Sequence, residues 1–275
     1  ETALLKVQND ILLAMEQRKS VLLFALDLSA AFDTVDHGIL LNRMEKRIGI
    51  KEKCLSWFTS YLTGRRQIVA IKGAKSKEQI LQCGVPQGSV LGPKLFNIYM
   101  LPLGDIIQKH QVDYHLYADD TTTYITFTDR EVQSAVDQGE TLMREISDWT
   151  AANLLKLNHD KTELVLFRSK CLNPVSLPPI TVGDEQPDFA SSLRLLGVNL
   201  DNNMLMNSQV HNTSKACFYR LHNMFKVRKC ITEDAAKVMT HSLVTSRLDY
   251  CNSLYYGLPN NLLTKLKKVQ CTSAR

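Results

Sequence analysis

Two adjacent aspartates, Asp119 and Asp120, lie between two segments that are rich in β-branched and aromatic residues. The flanking segments, 113–116 and 121–127, predict a β-hairpin that carries both carboxylates at its tip. Like charges held this close raise one another's pKa unless a cation lies near them. A pair of divalent metal ions, with chemistry on phosphates, would account for the pattern, and so would an Asp-Asp turn exposed to solvent.

A further carboxylate closes a strand of a different kind. Residues 21–26 form a continuous apolar run, which is typical of a strand buried on both faces. The run ends at Asp27, and a charge in that position is paired, binds a metal ion or reaches solvent. If this strand lies beside the hairpin, Asp27 and Asp119 meet at one point. Asp33 and Asp36 are weaker candidates, and Asp36 has the position of an N-cap for the helix that follows it.

The loop 84–93, between the strand and the hairpin, is punctuated by glycine and proline. Gln87 is followed by Gly88 shortly before an apolar helical pattern, which lets backbone and side chain approach a ligand closely. The loop lacks the Lys-Ser/Thr pair of a P-loop, so that phosphate-binding motif is excluded. Taken alone, the segment is also compatible with an ordinary turn.

Composition indicates a soluble globular protein. The 275 residues are 44% hydrophobic and 22% charged, enough for one large domain or a core plus a smaller lobe. The apolar stretches are shorter than the ~20 residues of a membrane span, so we expect no membrane partner. The seven cysteines are scattered without zinc-binding spacing, which indicates reduced thiols in an intracellular protein.

Positive charge is concentrated near the C-terminus. The net charge is +5, yet from Leu205 onward there are 11 Lys/Arg and three Asp/Glu. A basic lobe beside a mildly acidic body favours binding of a phosphate backbone. Each of the densest clusters, 226–229 and 265–268, is by itself more typical of a solvated helix face than of a dedicated nucleic-acid contact. Arg65 and Arg66 form a third candidate contact for template phosphates.

In their order along the chain, these motifs resemble the reverse transcriptase domain of non-LTR (LINE-type) retrotransposons, most closely the CR1/L2-like group. The resemblance covers most of the chain. The segments that carry it are LDLSAAFDTVDH (26–37), SYLTGRRQ (60–67), GVPQGSVLGP (84–93), YADD (117–120), LNHDKTE (157–163), LLGVNLD (195–201), SRLDYCNS (246–253) and YGLP (256–259). It implies an RNA-directed DNA polymerase, a nucleotidyltransferase whose partners are an RNA template, a DNA primer and dNTPs.

The resemblance also implies metal ligands. Asp27 and Asp119 would be the principal ligands of two Mg²⁺ ions, which Mn²⁺ could replace, with Asp120 and the carbonyl of Leu28 as further ligands. Two ions about 3.5–4 Å apart would activate the primer 3′-hydroxyl and stabilise the leaving pyrophosphate. Lys161 would neutralise or protonate that pyrophosphate, although an exposed lysine at the start of a strand is an equally good explanation.

Nucleotide-binding residues are implied in the same way. Phe32 would pack under the incoming sugar, where a ring would clash with a 2′-hydroxyl, but it also has the pattern of a core phenylalanine. Gln87 and Gly88 would contact the incoming nucleotide and the template. Tyr117 would lie near the primer end, or simply pack on a hairpin strand.

The predicted fold class is α+β: a polymerase palm-type antiparallel sheet with covering helices, followed by a helical thumb-like lobe. We expect two domains, a reverse transcriptase palm with partial fingers (1–203) and a helical basic thumb-like region (204–275). Helices are expected at 2–17, 37–48, 51–63, 89–109 and, capped by Asp129, up to 153. Strands are expected at 21–27, 67–72 with 79–83, in the hairpin, and near 154–157, 161–167 and 193–200. Residues 173–188 are expected to form a loop with a weak hairpin.

The chain begins at Glu1, and most of the fingers region that precedes the first helix in this family is not in the sequence. We therefore expect a piece of a longer protein with a truncated nucleotide clamp. A relic that only binds nucleic acid is an alternative function, and a polymerase that copies RNA into RNA is a third, disfavoured by Phe32. The expected location is intracellular, in nucleus and cytoplasm by family resemblance.

Overall fold

The computed structural model describes residues 1–173, 175, 177–183 and 185–274, and His159 by its backbone alone. The helices are α1 (Thr2–Glu16), α2 (His37–Arg43), α3 (Glu52–Leu62), α4 (Gly92–Lys109), α5 (Val132–Ala152), α6 (Asn207–Val227), α7 (Glu233–Thr240), α8 (Ser246–Asp249) and α9 (Asn260–Ser273). The strands are β1 (Ser20–Ser29), β2 (Arg66–Gln67), β3 (Ala70–Ile71), β4 (Ala74–Lys75), β5 (Gln79–Ile80), β6 (Asp113–Tyr117), β7 (Asp120–Phe127), β8 (Lys156–Phe167), β9 (Ser192–Leu195) and β10 (Val198–Asp201).

The central sheet has the strand order β6-β7-β1-β8, and every neighbouring pair is antiparallel. The apolar run predicted to be buried on both faces is the inner strand β1, in which residues 21–24 are fully buried. The predicted α+β class is confirmed, because an antiparallel sheet packs against helices and the chain ends in a helical region.

Alternation along β1 divides the core between the two faces of the sheet. Leu22, Phe24 and Leu26 pack with apolar side chains of α2, α4 and α5. Val21 and Leu23 point to the opposite face, where they pack with side chains of α1, β9, β10 and the C-terminal helices. Both faces of the sheet are thus covered along residues 21–26 of β1.

The C-terminal helices share the second core with the sheet. Met206, Val210 and Leu254 are almost completely buried in the same cluster as Leu4 of α1 and Val21 of β1. The division at 203/204 stays a prediction, and packing between the two segments is continuous across it.

The sequence predicted aspartate N-caps for two helices, Asp36 for α2 and Asp129 for α5. The Asp36 carboxylate caps α2, since its Oδ1 accepts a hydrogen bond from the Ile39 amide at 2.7 Å. The predicted cap at Asp129 is wrong. Helix α5 begins at Val132, and the Asp129 carboxylate instead pairs with the Arg168 guanidinium, with an Nη1–Oδ1 distance of 2.6 Å. A long-range ion pair has displaced a local capping role.

Other boundaries also differ from the expectations. The strands expected near 154–157 and 161–167 are one strand, β8, with an irregularity inside it. The strand pair 67–72 with 79–83 occurs as two short separate pairs, β2–β5 and β3–β4. Within 173–188, Val182 and Glu185 form an isolated bridge, while Pro174, Ser176 and Asp184 lie outside the described residues.

Among the helices of the described residues, none combines the length and the apolar character that a membrane span requires.

Candidate active site

Strand pairing brings the predicted carboxylates together. Leu26 of β1 pairs with Thr121 of β7, so the next residues along the two strands, Asp27 and Asp120, are neighbours at the end of the ladder. The β6–β7 hairpin closes with Tyr117 opposite Asp120, which leaves Ala118 and Asp119 in the turn. Ala118 has φ +53°, a left-handed conformation that tight hairpin turns require. The sequence prediction of a hairpin with carboxylates at its tip is confirmed.

Asp27 receives two hydrogen bonds from β8. Its Oδ2 accepts from Asn158 Nδ2 at 3.3 Å and from Lys161 Nζ at 3.2 Å. The Asp27 side chain is 27% exposed and the Lys161 side chain 67% exposed, so the ammonium reaches the carboxylate from the solvent side. An ion pair with this exposure contributes little to the free energy of unfolding. It does place a positive charge beside the Asp27 carboxylate.

An irregularity in β8 makes that contact possible. Ala25 pairs with Glu163 while Asp27 pairs with Asn158, so β8 carries three more residues than β1 between these two pairs. Lys161 is among the extra residues. Bulged strands bend and re-aim side chains, which is how a residue two places from Glu163 reaches Asp27. The same interruption explains why the sequence pattern predicted two strands.

The charges of Asp27 and Asp119 affect the ionisation of Asp120. Burial raises the pKa of Asp120, and the negative charges of Asp119 and Asp27 raise it further. Carboxylate oxygens are hard donors that suit Mg²⁺ or Mn²⁺, so the donor set fits a divalent ion. Within the described residues, however, no group of three His, Cys, Asp or Glu side chains is assembled as a metal site. The Lys161 ammonium supplies the positive charge next to Asp27.

An open cavity of about 750 Å³ lies in front of the carboxylates. Of the predicted site residues, those that line it are Asp27, Leu28, Phe32, Gln87, Gly88, Asp119 and Lys161. The Leu28 side chain is 5% exposed and belongs to the core, so its backbone is the part that can face a ligand. Tyr117, with 58% exposure, and Asp120 lie outside this lining; Asp120 borders an adjoining cleft with Asp27 and Lys161.

Phe32 and Gln87 line the same cavity as the carboxylates, from the segment after β1 and from the loop 84–93. The Phe32 ring stacks on Phe96 of α4 with a centroid separation of 4.8 Å, which fixes the ring while leaving one part of it in the cavity. Gln87 Nε2 donates to Asp33 Oδ1 at 3.1 Å. Gly88 has φ +76° with no heavy atom near its missing side chain, so this position needs glycine for its backbone conformation.

A family comparison decides the identity of the fold. The family model of reverse transcriptase (RNA-dependent DNA polymerase) matches residues 4–200. The chain belongs to this family. The match includes both strands that carry the carboxylates, the loop with Gln87 and the irregular strand β8. The resemblance that the sequence motifs predicted is confirmed.

Individual relatives of the reverse transcriptase domain are polymerases of mobile elements. The chain is 26% identical over 224 residues to a probable RNA-directed DNA polymerase from transposon BS of Drosophila melanogaster, covering 80% of this chain and 24% of the relative. It is 23% identical over 278 residues to the RNA-directed DNA polymerase from mobile element jockey of Drosophila funebris, covering 98% of this chain and 30% of the relative. The chain therefore spans less than a third of these curated relatives.

Among solved structures, the chain is similar to apo telomerase from Candida tropicalis. The TM-score is 0.49 with 11% identity, covering 98% of this chain and 50% of that chain. The similarity is too weak to bear on the architecture, which rests on the strand order and the family match.

Residues around the reverse transcriptase site also include some that the sequence did not single out. Asn158 lies in a motif segment, yet only its position opposite Asp27 reveals its contact with the carboxylate. Arg65, expected at template phosphates, is turned inward and donates to the carbonyl of Gly84 at 2.5 Å. Arg66 pairs with Glu78 at 3.0 Å across the short β2–β5 ribbon. No local signal in the sequence distinguishes these two neighbouring arginines.

Proposed function

We propose that this domain is an RNA-directed DNA polymerase of a retrotransposable element, which adds deoxynucleotides to a DNA primer annealed to an RNA template. The observation that carries the proposal is that Asp27 and Asp119 line one open cavity together with Phe32 and Gln87. Phosphoryl transfer requires little covalent chemistry from side chains and depends on positioning and charge. Paired carboxylates beside a nucleotide-sized space meet that requirement.

In the proposed reaction, the primer 3′-oxygen attacks the α-phosphorus of the dNTP, a new P–O bond forms, and the bond to pyrophosphate breaks. The 3′-hydroxyl loses its proton to solvent, and the pyrophosphate leaves with the electron pair of the broken P–O bond. Lys161 is exposed at the edge of the cavity, where its ammonium can neutralise or protonate that leaving group. Lys161→Met should lower kcat by about 100-fold, and Lys161→Arg by less. Equal loss in both variants would contradict a role that depends on charge.

The proposed cofactor is Mg²⁺, with Mn²⁺ as a substitute. Asp27 and Asp119 would hold the ions, with Asp120 and the carbonyl of Leu28 as further ligands. A bound divalent ion supplies positive charge that favours ionisation of the 3′-hydroxyl and departure of pyrophosphate. Support for this assignment comes from the strand pairing that brings Asp27 beside Asp120, and from the cavity that Asp27 and Asp119 line together. Binding of Mn²⁺, followed by electron paramagnetic resonance, should weaken in Asp119→Asn.

Recognition of the nucleotide is assigned to other residues in and beside the cavity. Phe32 would exclude a 2′-hydroxyl, Gln87 and Gly88 would contact the incoming nucleotide and the template, and Tyr117 would lie beside the primer end. The exposure of Tyr117 and the position of Phe32 in the cavity support these roles. Residues 1–203 would act as palm with partial fingers, and 204–275 as a thumb-like region that holds the duplex. We propose an intracellular location, in nucleus and cytoplasm.

The direct test is primer extension on an RNA template with Mg²⁺ and then Mn²⁺. Asp119→Asn should lower the rate by at least about 100-fold, because the change removes the ligand charge while keeping the shape. Asp113→Asn is the matched control, since Asp113 is exposed at the far end of the same hairpin. Equal activity of Asp119→Asn and the control would overturn the proposal.

A second function is favoured by one observation. The Lys161 ammonium pairs with Asp27, one of the two carboxylates assigned to the metal ions. A domain fixed in that state would bind nucleic acid through its basic C-terminal region without extending a primer. Tight, salt-sensitive binding of the template–primer duplex without extension in either metal would identify this binding-only function.

A further inference from the structure

The carbonyl of Gly84 accepts hydrogen bonds from two side chains on different elements. His37 Nε2, on the first residue of α2, lies 2.9 Å from this oxygen, and Arg65 Nη2, just beyond α3, lies 2.5 Å from it. A carbonyl oxygen can only accept, so His37 Nε2 carries the proton and donates. His37 is 7% exposed and Gly84 is buried, so water does not compete freely for these bonds.

Further contacts fasten the same point to the connection between β1 and α2. The Gly84 amide donates to the Val35 carbonyl, and the Val85 amide to the Phe32 carbonyl, each at 2.8 Å. A side chain on Gly84 would lie 2.9 Å from the Asp33 carbonyl oxygen, so the two backbones are in direct contact. The loop that carries Gln87 is therefore anchored at its start to the segment that carries Phe32.

Arg65 is also oriented for this contact. Its Nε donates to the Leu62 carbonyl at the end of α3, at 3.3 Å, so one guanidinium joins the end of α3 to the start of the loop. A guanidinium presents several donors in a rigid plane, which an ammonium cannot reproduce. His37 completes the arrangement from α2.

We infer that His37 and Arg65 are positioning residues for nucleotide binding, which hold the Gly84 carbonyl so that the Gln87–Gly88 loop stays beside Phe32 at the cavity. The inference rests on the proposed function, because the loop is assigned there to the incoming nucleotide. Small displacements of a positioning group cost binding and rate steeply. Loss of either donor should therefore raise the KM for dNTP more than it lowers kcat.

The test uses Arg65→Met, His37→Phe and the conservative His37→Gln, whose amide can replace the Nε2–H donor. Arg47→Met is the matched control, since Arg47 is exposed and pairs with Asp105 away from the loop. Steady-state primer extension gives KM for dNTP and kcat. Amide hydrogen exchange at Gly84 and Val85 gives an independent readout that needs no activity.

We expect Arg65→Met and His37→Phe to raise the dNTP KM about tenfold and to speed exchange at both amides, with His37→Gln and Arg47→Met near wild type. A fall in kcat with unchanged KM, or unchanged exchange, would overturn the inference. If the wild-type domain extends no primer, the proposed polymerase function fails, and faster or unchanged exchange still decides whether the two side chains hold the loop. Should His37→Phe not fold, Arg65→Met decides alone.

Discussion

At the scale of single residues, the site is a balance of like charges and one neighbouring cation. Asp27 and Asp119 lie close enough to Asp120 to raise its pKa. Lys161 contacts Asp27 from the solvent side. Such a cluster is costly unless positive charge is bound, which is the electrostatic reason to expect a divalent ion here. In the same cavity, Phe32 presents a rigid ring held by Phe96.

The position of Phe32 predicts sugar discrimination. Phe32→Val removes the ring that would meet a 2′-hydroxyl, so the preference for dNTP over rNTP should fall by about tenfold or more. The ratio of kcat/KM values for dTTP and UTP measures it. Phe96→Leu keeps the ring and loosens only its packing, so it should lower the preference by less than Phe32→Val does. An unchanged preference in Phe32→Val would contradict the assignment.

At the scale of elements, local signals predicted what local interactions determine. The apolar run of β1, the hairpin turn and the Asp36 cap depend on neighbouring residues, and each lies where the sequence places it. The irregularity in β8 depends on how β8 pairs with β1, so the pattern divided one strand into two. The contact of Asp129 with Arg168 spans 39 residues, and a cap was the better local interpretation.

The candidate site divides in the same way. The carboxylates follow from motif and strand end, whereas the inward turn of Arg65 and the contact of Asn158 with Asp27 depend on tertiary packing. A sequence of two consecutive arginines contains no information about which one points inward. The roles of the site residues in catalysis stay predictions.

One half-buried arginine joins three helices. Arg43 of α2 donates to the Tyr99 carbonyl of α4 and to Asn153 Oδ1 at the end of α5. Its guanidinium also lies over the Tyr99 ring, 4.5 Å from the centroid. Burial lowers the pKa of Arg43. The side chain therefore replaces water for two polar groups in the interior.

Arg43→Met should lower the free energy of unfolding by about 2–4 kcal/mol, because two acceptors lose a charged donor. Arg43→Lys should recover little, since one ammonium cannot span both acceptors and the ring. Chemical denaturation measures the change. Arg47→Met, one turn away and exposed, should change stability by less than about 0.5 kcal/mol. Similar losses in the two methionine variants would contradict this role for Arg43.

At the scale of the whole molecule, the central sheet and the C-terminal helices share one core, and their charge is unevenly distributed. Leu254 is buried with side chains of α1 and β1, and Gln8 of α1 donates to the Leu254 carbonyl at 3.3 Å. The segment from Leu205 onward carries 11 basic and three acidic residues. A basic surface fixed to the sheet by a shared core would hold a duplex in a constant position relative to the carboxylates.

The charge distribution predicts how binding responds to salt. Replacing Lys265, Lys267 and Lys268 with Met should reduce the slope of log K against log salt by about 2–3 for a template–primer duplex, close to one unit per lost phosphate contact. Fluorescence anisotropy between low and physiological salt measures it. The control replaces Lys72, Lys75 and Lys77, three exposed lysines in the segment between β3 and β5. Equal effects of both triple variants would indicate diffuse attraction without a defined surface.

Asp27 and Asp119 are proposed to act together in one nucleotidyl-transfer site. The most direct measurement is single-turnover primer extension by wild type, Asp27→Asn, Asp119→Asn and the double variant. Residues that act as a unit show strongly non-additive losses. We predict that the double variant is hardly slower than either single variant, each of which loses most of the rate. Additive losses, or full activity in either single variant, would show that Asp27 and Asp119 do not act in one site.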